Sequence, residues 1–399
     1  MKRRDFLKNS AFAAAGTFLI PAFIKPVEAM GMEDIASFKN LVIIQLSGGN
    51  DGLNTIVPYG NDIYYQKRKN IALKAEEVIK LNDMQGLNPN MSALREIYDQ
   101  GWMGIINDVG YPNPDRSHFR SMDIWQSGSD SNQFLSTGWI GRYLDSNCQT
   151  CSDPYHAIEV DDKLSLALKG VNKKGLAVKD PARLYNNTRD PFFKNILNQE
   201  KDLMGEDNLG YLYKTMIETS SSADYIQNTS KIYTSQTEYP KSGFANQLKT
   251  VAKFICSGLR TRVYYVSLSG FDTHANQVAQ QGNLLKQYSE GMSTFLKDLK
   301  LNDKLDDTLV FTFSEFGRRV EQNASKGTDH GTANNVHIFG GKLKKSGIYN
   351  HAPDLANLDS GDLKYQVDFR QVYSTLLEKW LKVKDQHILN KSFEALDFI

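Results

Sequence analysis

Carboxylates and histidines recur in this chain in short segments suited to holding a divalent cation. Ser47-Gly48-Gly49-Asn50-Asp51-Gly52-Leu53-Asn54 offers Asp51, and Ser269-Gly270-Phe271-Asp272-Thr273-His274 offers Asp272 and His274. Ser314-Glu315-Phe316-Gly317-Arg318-Arg319 offers Glu315, and Thr328-Asp329-His330-Gly331-Thr332 offers Asp329 and His330. Alone, each is a weak signal, because a single Asp after a strand commonly caps a helix or closes a turn. Together they make a mixed oxygen and nitrogen donor set. That mixture suits zinc, manganese or a related divalent ion, one or two in number, whereas calcium takes oxygen ligands only.

A fifth segment, Pro114-Asp115-Arg116-Ser117-His118-Phe119, supplies a candidate nucleophile. It runs into a helical stretch ending at Gly128, so Ser117 falls at a helix N-terminus. The positive end of the helix dipole there favours an alkoxide and any bound anion, and metal coordination would lower the serine pKa further. Capping the helix is the other use of a serine at that position. The sequence leaves the two open.

The elements that must position these residues follow from hydrophobic patterning. Continuous apolar runs at 41–46, 103–106, 263–268, 309–313 and 335–339 read as strands covered on both faces. Helical patterns at 91–98, 244–257, 283–299 and 369–381 lie between or after them. Strand-then-helix alternation predicts an α/β sandwich with a mainly parallel central sheet flanked by helices. Ligands bind such sheets beyond the carboxyl ends of the strands, and the candidate segments flank the apolar runs. The stretch 174–241 is polar and rich in Asn, Ser, Thr and Lys. It reads as a cap-like insertion that shapes specificity, not as a separate domain.

The chain of 399 residues is 40% hydrophobic and 23% charged with formal net charge +1, the profile of a soluble globular protein. There is no basic excess of the kind a nucleic-acid partner requires. An odd, low count of three cysteines argues against a disulfide scaffold. Cys148-Gln-Thr-Cys151 reads as a local disulfide in a polar loop, with a redox pair or half a zinc site as alternatives.

The N-terminus reads as a twin-arginine export signal. Arg3-Arg4-Asp5-Phe6-Leu7-Lys8 precedes a mildly apolar stretch at 11–24, and Val27-Glu28-Ala29 matches a signal-peptidase site. The expected division is a signal peptide at 1–29 and a mature single domain at 30–399. Gly16, Pro21 and Pro26 interrupt the apolar stretch, which falls short of the ~20 residues that span a bilayer. The implied partner is the export machinery, the location periplasmic or extracellular, and no stable membrane anchor is expected. That route carries folded proteins, often already loaded with a metal or cofactor.

Taken together, Gly48-Gly49-Asn50-Asp51-Gly52, Arg116-Ser117-His118-Phe119, Phe271-Asp272-Thr273-His274, Ser314-Glu315-Phe316-Gly317-Arg318 and Asp329-His330-Gly331-Thr332 resemble the bacterial family known as domain of unknown function 1501. The resemblance runs to Asp368-Phe369-Arg370-Gln371-Val372. It implies an alkaline-phosphatase-like fold, since the family is placed with the alkaline phosphatases and sulfatases. In that pattern Asp51 resembles the aspartate that holds one metal, and Ser117 falls at the nucleophile. Asp272 and His274 resemble the Asp-and-His pair of the other metal, joined by His330. Glu315 stands where the superfamily has a metal-binding aspartate. Phe316 departs from it, because a phenyl ring cannot replace the histidine ligand expected there. The site of Asp51, Ser117 and Glu315 is thus short of one ligand: either His118 substitutes, or that site is weak or absent. Arg318 and Arg319 are the candidates to grip an anionic ester, the alternative being that one of the two pairs with a surface carboxylate.

The expected function is an exported, metal-dependent hydrolase of phosphate or sulfate esters, acting on a small or polymeric anionic substrate with Ser117 as nucleophile. The alternative is a non-catalytic exported protein that keeps the fold to bind a glycan, a polymer or a protein partner. A thiol oxidoreductase using Cys148 and Cys151 is the third reading, without a thioredoxin-like strand–helix context to support it.

Overall fold

A computed structural model of the chain describes residues 38–147, 154–199 and 208–399. The expected signal peptide and the Cys148–Cys151 pair lie outside these residues. The compact unit is Lys39–Ile399, and no helix among the described residues is long and apolar enough to cross a membrane.

The strands are β1 (Asn40–Ser47), β2 (Ile56–Val57), β3 (Ile79–Lys80), β4 (Gly86–Leu87), β5 (Met103–Gly110), β6 (Ala157–Glu159), β7 (Leu176–Ala177), β8 (Val263–Ser269), β9 (Thr308–Phe313), β10 (Asn334–Phe339), β11 (Gly347–Ile348) and β12 (Val367–Asp368). A small sheet has the order β2-β4-β3. The others form one nine-stranded sheet in the order β11-β5-β10-β9-β1-β8-β6-β7, with β12 paired to β5. Helices flank it, as the alternation predicts.

The apolar runs are continuous because alternate side chains feed two separate cores. Val42, Ile44, Leu46, Tyr264, Val266 and Val310 join one cluster. Leu41, Ile43, Val263, Tyr265, Leu309, Phe311 and Phe313 join the other. The helices Gly243–Cys256 and Gln277–Leu301 cover the first face with Leu248, Val251, Met292 and Phe295. The helices Trp139–Asn147 and Phe369–Thr375 cover the second with Trp139, Tyr143, Val372 and Tyr373. Each large apolar side chain so buried contributes roughly 1.5–3 kcal/mol, which holds the sheet as a rigid platform.

Strand direction sets the position of the functional segments. β8 and β9 both pair parallel with β1, so the loops after Ser47, Ser269 and Phe313 leave from one edge. β10 pairs antiparallel with both β9 and β5. An antiparallel strand enters a sheet where its neighbours leave it. The segment before Asn334, which carries His330, therefore stands at that same edge. In an all-parallel sheet it would lie at the opposite one.

The stretch 174–241 supplies the edge strand β7 and the helices Pro181–Thr188, Pro191–Gln199 and Asn208–Ser230. The segment after the last helix is tied to the core at one buried carboxylate. Asp298 accepts from Tyr233 Oη at 2.8 Å, Ser235 Oγ at 2.8 Å and Tyr239 Oη at 2.9 Å.

Candidate functional site

The loop after β1 meets those after β8 and β9 with no room to spare. Gly48 has φ +118° and Gly49 φ +69°; a Cβ on Gly48 would stand 2.5 Å from the Asp272 amide nitrogen, and one on Gly49 2.2 Å from Phe316 Cε2. No other residue type fits both the backbone and the contact.

Around Asp272 the structure gathers three histidines. His274 Nε2 lies 3.0 Å, His330 Nε2 3.2 Å and His118 Nε2 3.4 Å from Asp272 Oδ1. His118, Asp272 and His330 each offer one ligand atom within 4.8 Å of the others, and His274 Nε2 lies 3.0 Å from His330 Nε2. His118 and His330 also meet edge to face, with ring centroids 4.4 Å apart. This is a possible metal site.

Each ring is oriented by its other nitrogen. His118 Nδ1 lies 2.9 Å from Glu315 Oε1, His274 Nδ1 3.3 Å from Asp329 Oδ1, and His330 Nδ1 2.7 Å from the Arg116 carbonyl oxygen. A carbonyl or carboxylate can only accept, so the tautomer decides whether a neutral ring donates from Nδ1 to its own oxygen or from Nε2 to Asp272. With the proton on Nδ1, each neutral ring turns its Nε2 lone pair toward Asp272, the tautomer that a metal-ligating histidine adopts. Donation of the distal ring N–H to an oxygen is the usual support of a metal-ligating histidine. Donor atoms ~2.0–2.1 Å from a tetrahedral ion are about 3.3 Å apart, close to the separations found. His118 Nε2 is buried and has no hydrogen-bond partner. The residues therefore fit a divalent ion.

The electrostatics agree. Burial works to raise the Asp272 pKa but is outweighed by the hydrogen bonds from Arg318 and His330, so it falls to about 2. The Glu315 hydrogen bond raises the His118 pKa, and burial lowers that of His330. The Asp272 and His274 side chains stay about half exposed, at 49% and 45%, which keeps the centre open to a ligand.

Several expected roles change in this geometry. Asp51 is not directed at the cluster: Arg68 takes both its oxygens, Nη1 to Oδ2 at 2.5 Å and Nη2 to Oδ1 at 3.0 Å, and both side chains are buried. Gln277 Nε2 donates to the same carboxylate. The guanidinium neutralises Asp51 within the buried pair. Glu315 is fully buried behind His118, and its Oε1 also accepts from the Gly48 amide at 2.8 Å; it orients a ligand instead of facing the open centre. Arg318 is engaged inside the protein. Its guanidinium is buried and donates to the carbonyls of Gly48, Gly49, Phe271 and Thr328 and to Asp272 Oδ1.

His118, offered from sequence only as a substitute ligand beside Asp51 and Glu315, takes a place in the cluster around Asp272. The Ser-His pair at a helix start was the available signal. Phe316 backs it, with its ring 4.9 Å from that of His118 and 4.8 Å from that of His330. Ser117 is the N-cap of the helix His118–Ser127, yet its side chain makes no capping hydrogen bond. It is exposed, and its amide is held by Asp115 Oδ1 at 2.6 Å.

Phe316 also lines a cleft of about 490 Å³ with Tyr111, Asp115, Arg116, Lys364 and Tyr365. No described residue of 174–241 lines this cleft or joins the group of His118, Asp272 and His330. Cys256 is a free thiol pushed up to about 12 by burial.

Residues 107–390 match the family model described as protein of unknown function (DUF1501). Comparison with curated protein sequences gives no match. Similar solved structures include the lipoteichoic acid synthase LtaP from Listeria monocytogenes, at 10% identity and TM-score 0.42, covering 91% of this chain and 76% of that one. The PsFucS1 sulfatase from Pseudoalteromonas sp. is 10% identical with TM-score 0.41, covering 92% and 72%. The TAB5 alkaline phosphatase mutant His 135 Asp, with Mg bound in the M3 site, is 10% identical with TM-score 0.34, covering 76% and 91%.

Proposed function

The chain belongs to the protein family of unknown function DUF1501, and from that premise we propose that it is a metal-dependent hydrolase of phosphate or sulfate esters with one metal centre. The observation that carries this reading is the convergence of His118, His274 and His330 on Asp272, each ring oriented through Nδ1. Three imidazoles and one carboxylate suit zinc ahead of manganese, magnesium or calcium. A bound ion would supply Lewis acidity at the ester and help acidify the attacking hydroxyl.

The chain's own residues divide the remaining work. His118, His274, His330 and Asp272 hold the centre; Glu315, Asp329 and the Arg116 carbonyl fix the rings. Ser117 is the nucleophile of this reading. Its hydroxyl attacks the phosphorus or sulfur, the bond to the leaving oxygen breaks, and that oxygen departs with a proton. Water then cleaves the seryl ester and restores the hydroxyl. Support comes from the unused Ser117 side chain at a helix N-terminus, where positive potential favours a developing anion. The cleft beside Phe316 receives the body of the substrate.

The test is hydrolysis of phosphate and sulfate ester panels by zinc-loaded protein. Activity should vanish with chelator and return with zinc or manganese. A metal-replete protein inactive on both panels would favour the alternative of a non-catalytic exported binding protein. Export by the twin-arginine route belongs to the same reading and rests on Arg3-Arg4 and the Ala29 site alone. An N-terminus near Met30 in the periplasmic or secreted protein, read by mass spectrometry, is the expected outcome.

A further inference from the structure

With Arg318 consumed by backbone carbonyls, an anionic ester at the cluster needs another cation from the chain. Arg116 and Arg319 sit on the loops that carry the site, with side chains 42% and 38% exposed. One carboxylate faces both. Asp362, 1% exposed, accepts at Oδ2 from Arg116 Nη2, while its Oδ1 lies 3.7 Å from Arg319 Nε and has no hydrogen-bond partner. A buried carboxylate oxygen without a hydrogen bond is unfavourable unless nearby positive charge offsets it. Two guanidiniums do so here, and the carboxylate in turn restrains them.

Arg116 is tied to the centre by its main chain as well. Its carbonyl accepts from His330 Nδ1 at 2.7 Å. Its side chain lines the cleft whose wall, Phe316, packs on His118 and His330. Apart from the Nη2 bond to Asp362, its guanidinium has no partner among the described residues. That leaves a planar set of donors suited to phosphate or sulfate oxygens.

We infer that Arg116 is the anion-recognition residue of this site, with Arg319 beside it, and that Asp362 is the positioning residue that holds Arg116 in place. The substrate class, a tetrahedral oxyanion ester, rests on the function proposed above. Arg116 replaces Arg318 in the role expected from sequence.

The experiment is calorimetric titration of inorganic phosphate into zinc-loaded wild type, Arg116→Ala, Asp362→Asn and the double variant, with steady-state kinetics on a phosphate monoester. Each single variant should weaken phosphate roughly 10-fold, and the double should be no weaker than either, because both remove one coupled unit. KM should rise in step, with kcat changed less than about 3-fold. Arg116 is on the surface, so its variant reports even if Asp362→Asn folds poorly. Unchanged phosphate affinity in Arg116→Ala, additive losses in the double, or no phosphate binding by wild type would each overturn the inference. Phosphate binding that follows the expected pattern in a protein that hydrolyses no ester would support the anion site and sink the hydrolase reading.

Discussion

The Nε2 atoms of His274 and His330 lie 3.0 Å apart, and each ring spends its Nδ1 on an oxygen acceptor. With both protons on Nδ1, two lone pairs face each other and cannot hydrogen-bond. Only a proton or a cation between them relieves the repulsion, and the Asp272 carboxylate beside both favours positive charge there. This contact supports the ion proposed for the centre.

Metal content follows from this geometry. The purified protein should bind one zinc per chain, measured by mass spectrometry of the native protein or by elemental analysis. His330→Ala or Asp272→Ala should abolish it. Glu315→Gln, which loosens only the support of His118, should weaken affinity by roughly 10–100-fold. Full zinc retention in His330→Ala would remove the basis of the proposed function.

The buried Arg68–Asp51 pair separates a one-ion from a two-ion centre. Arg68→Met leaves a buried charge without its partner and should lower unfolding free energy by about 3–5 kcal/mol in denaturant melts. Asp51→Asn should be destabilising as well, yet retain its zinc. Loss of one of two bound ions in Asp51→Asn would restore the ligand role expected from sequence.

Ser117→Ala distinguishes a nucleophile from a cap. A serine that caps its helix costs roughly 0.5–2 kcal/mol on replacement by alanine. Ser117 makes no such bond, so the thermal midpoint should hardly move, while ester hydrolysis should fall by about 10³-fold or more. A stability loss with full activity would reverse the assignment.

Stability should depend on pH through carboxyls outside the centre. Burial raises the Asp108 pKa from 3.8 to about 7 and that of Glu159 from 4.5 to about 7. Below the lower values both the folded and the unfolded chain hold these protons. As pH rises to about 7 the unfolded chain releases them first, so stability falls, and the loss is complete above the folded values. Asp108→Asn should flatten part of that slope and stabilise the protein at pH 8 by a few kcal/mol, roughly 2–4. Asn also tolerates the φ of 52° at that position. Denaturant melts at pH 5 and pH 8 on wild type and variant measure the difference.

Much of this molecule is legible in its sequence. The runs at 41–46, 263–268 and 309–313 are apolar at every step because both faces of β1, β8 and β9 are covered, and that alone places them in a central sheet. Asp272 and His274 follow from being the residues that leave β8 at its carboxyl end. Gly48 and Gly49 mark a close approach, though not its partners.

The rest depended on distance in space between segments far apart in the chain. Arg68 stands 17 residues after Asp51 and closes on it within a buried pocket, a pairing that no local pattern encodes. Arg318 looked like an anion ligand by residue type, but burial and four carbonyls decide its use. His330 reaches the centre only because β10 runs antiparallel. Residue type and periodicity determined the sheet and the donor chemistry; strand direction and the pairing of buried charge decided which donors meet, because both are properties of the packed chain.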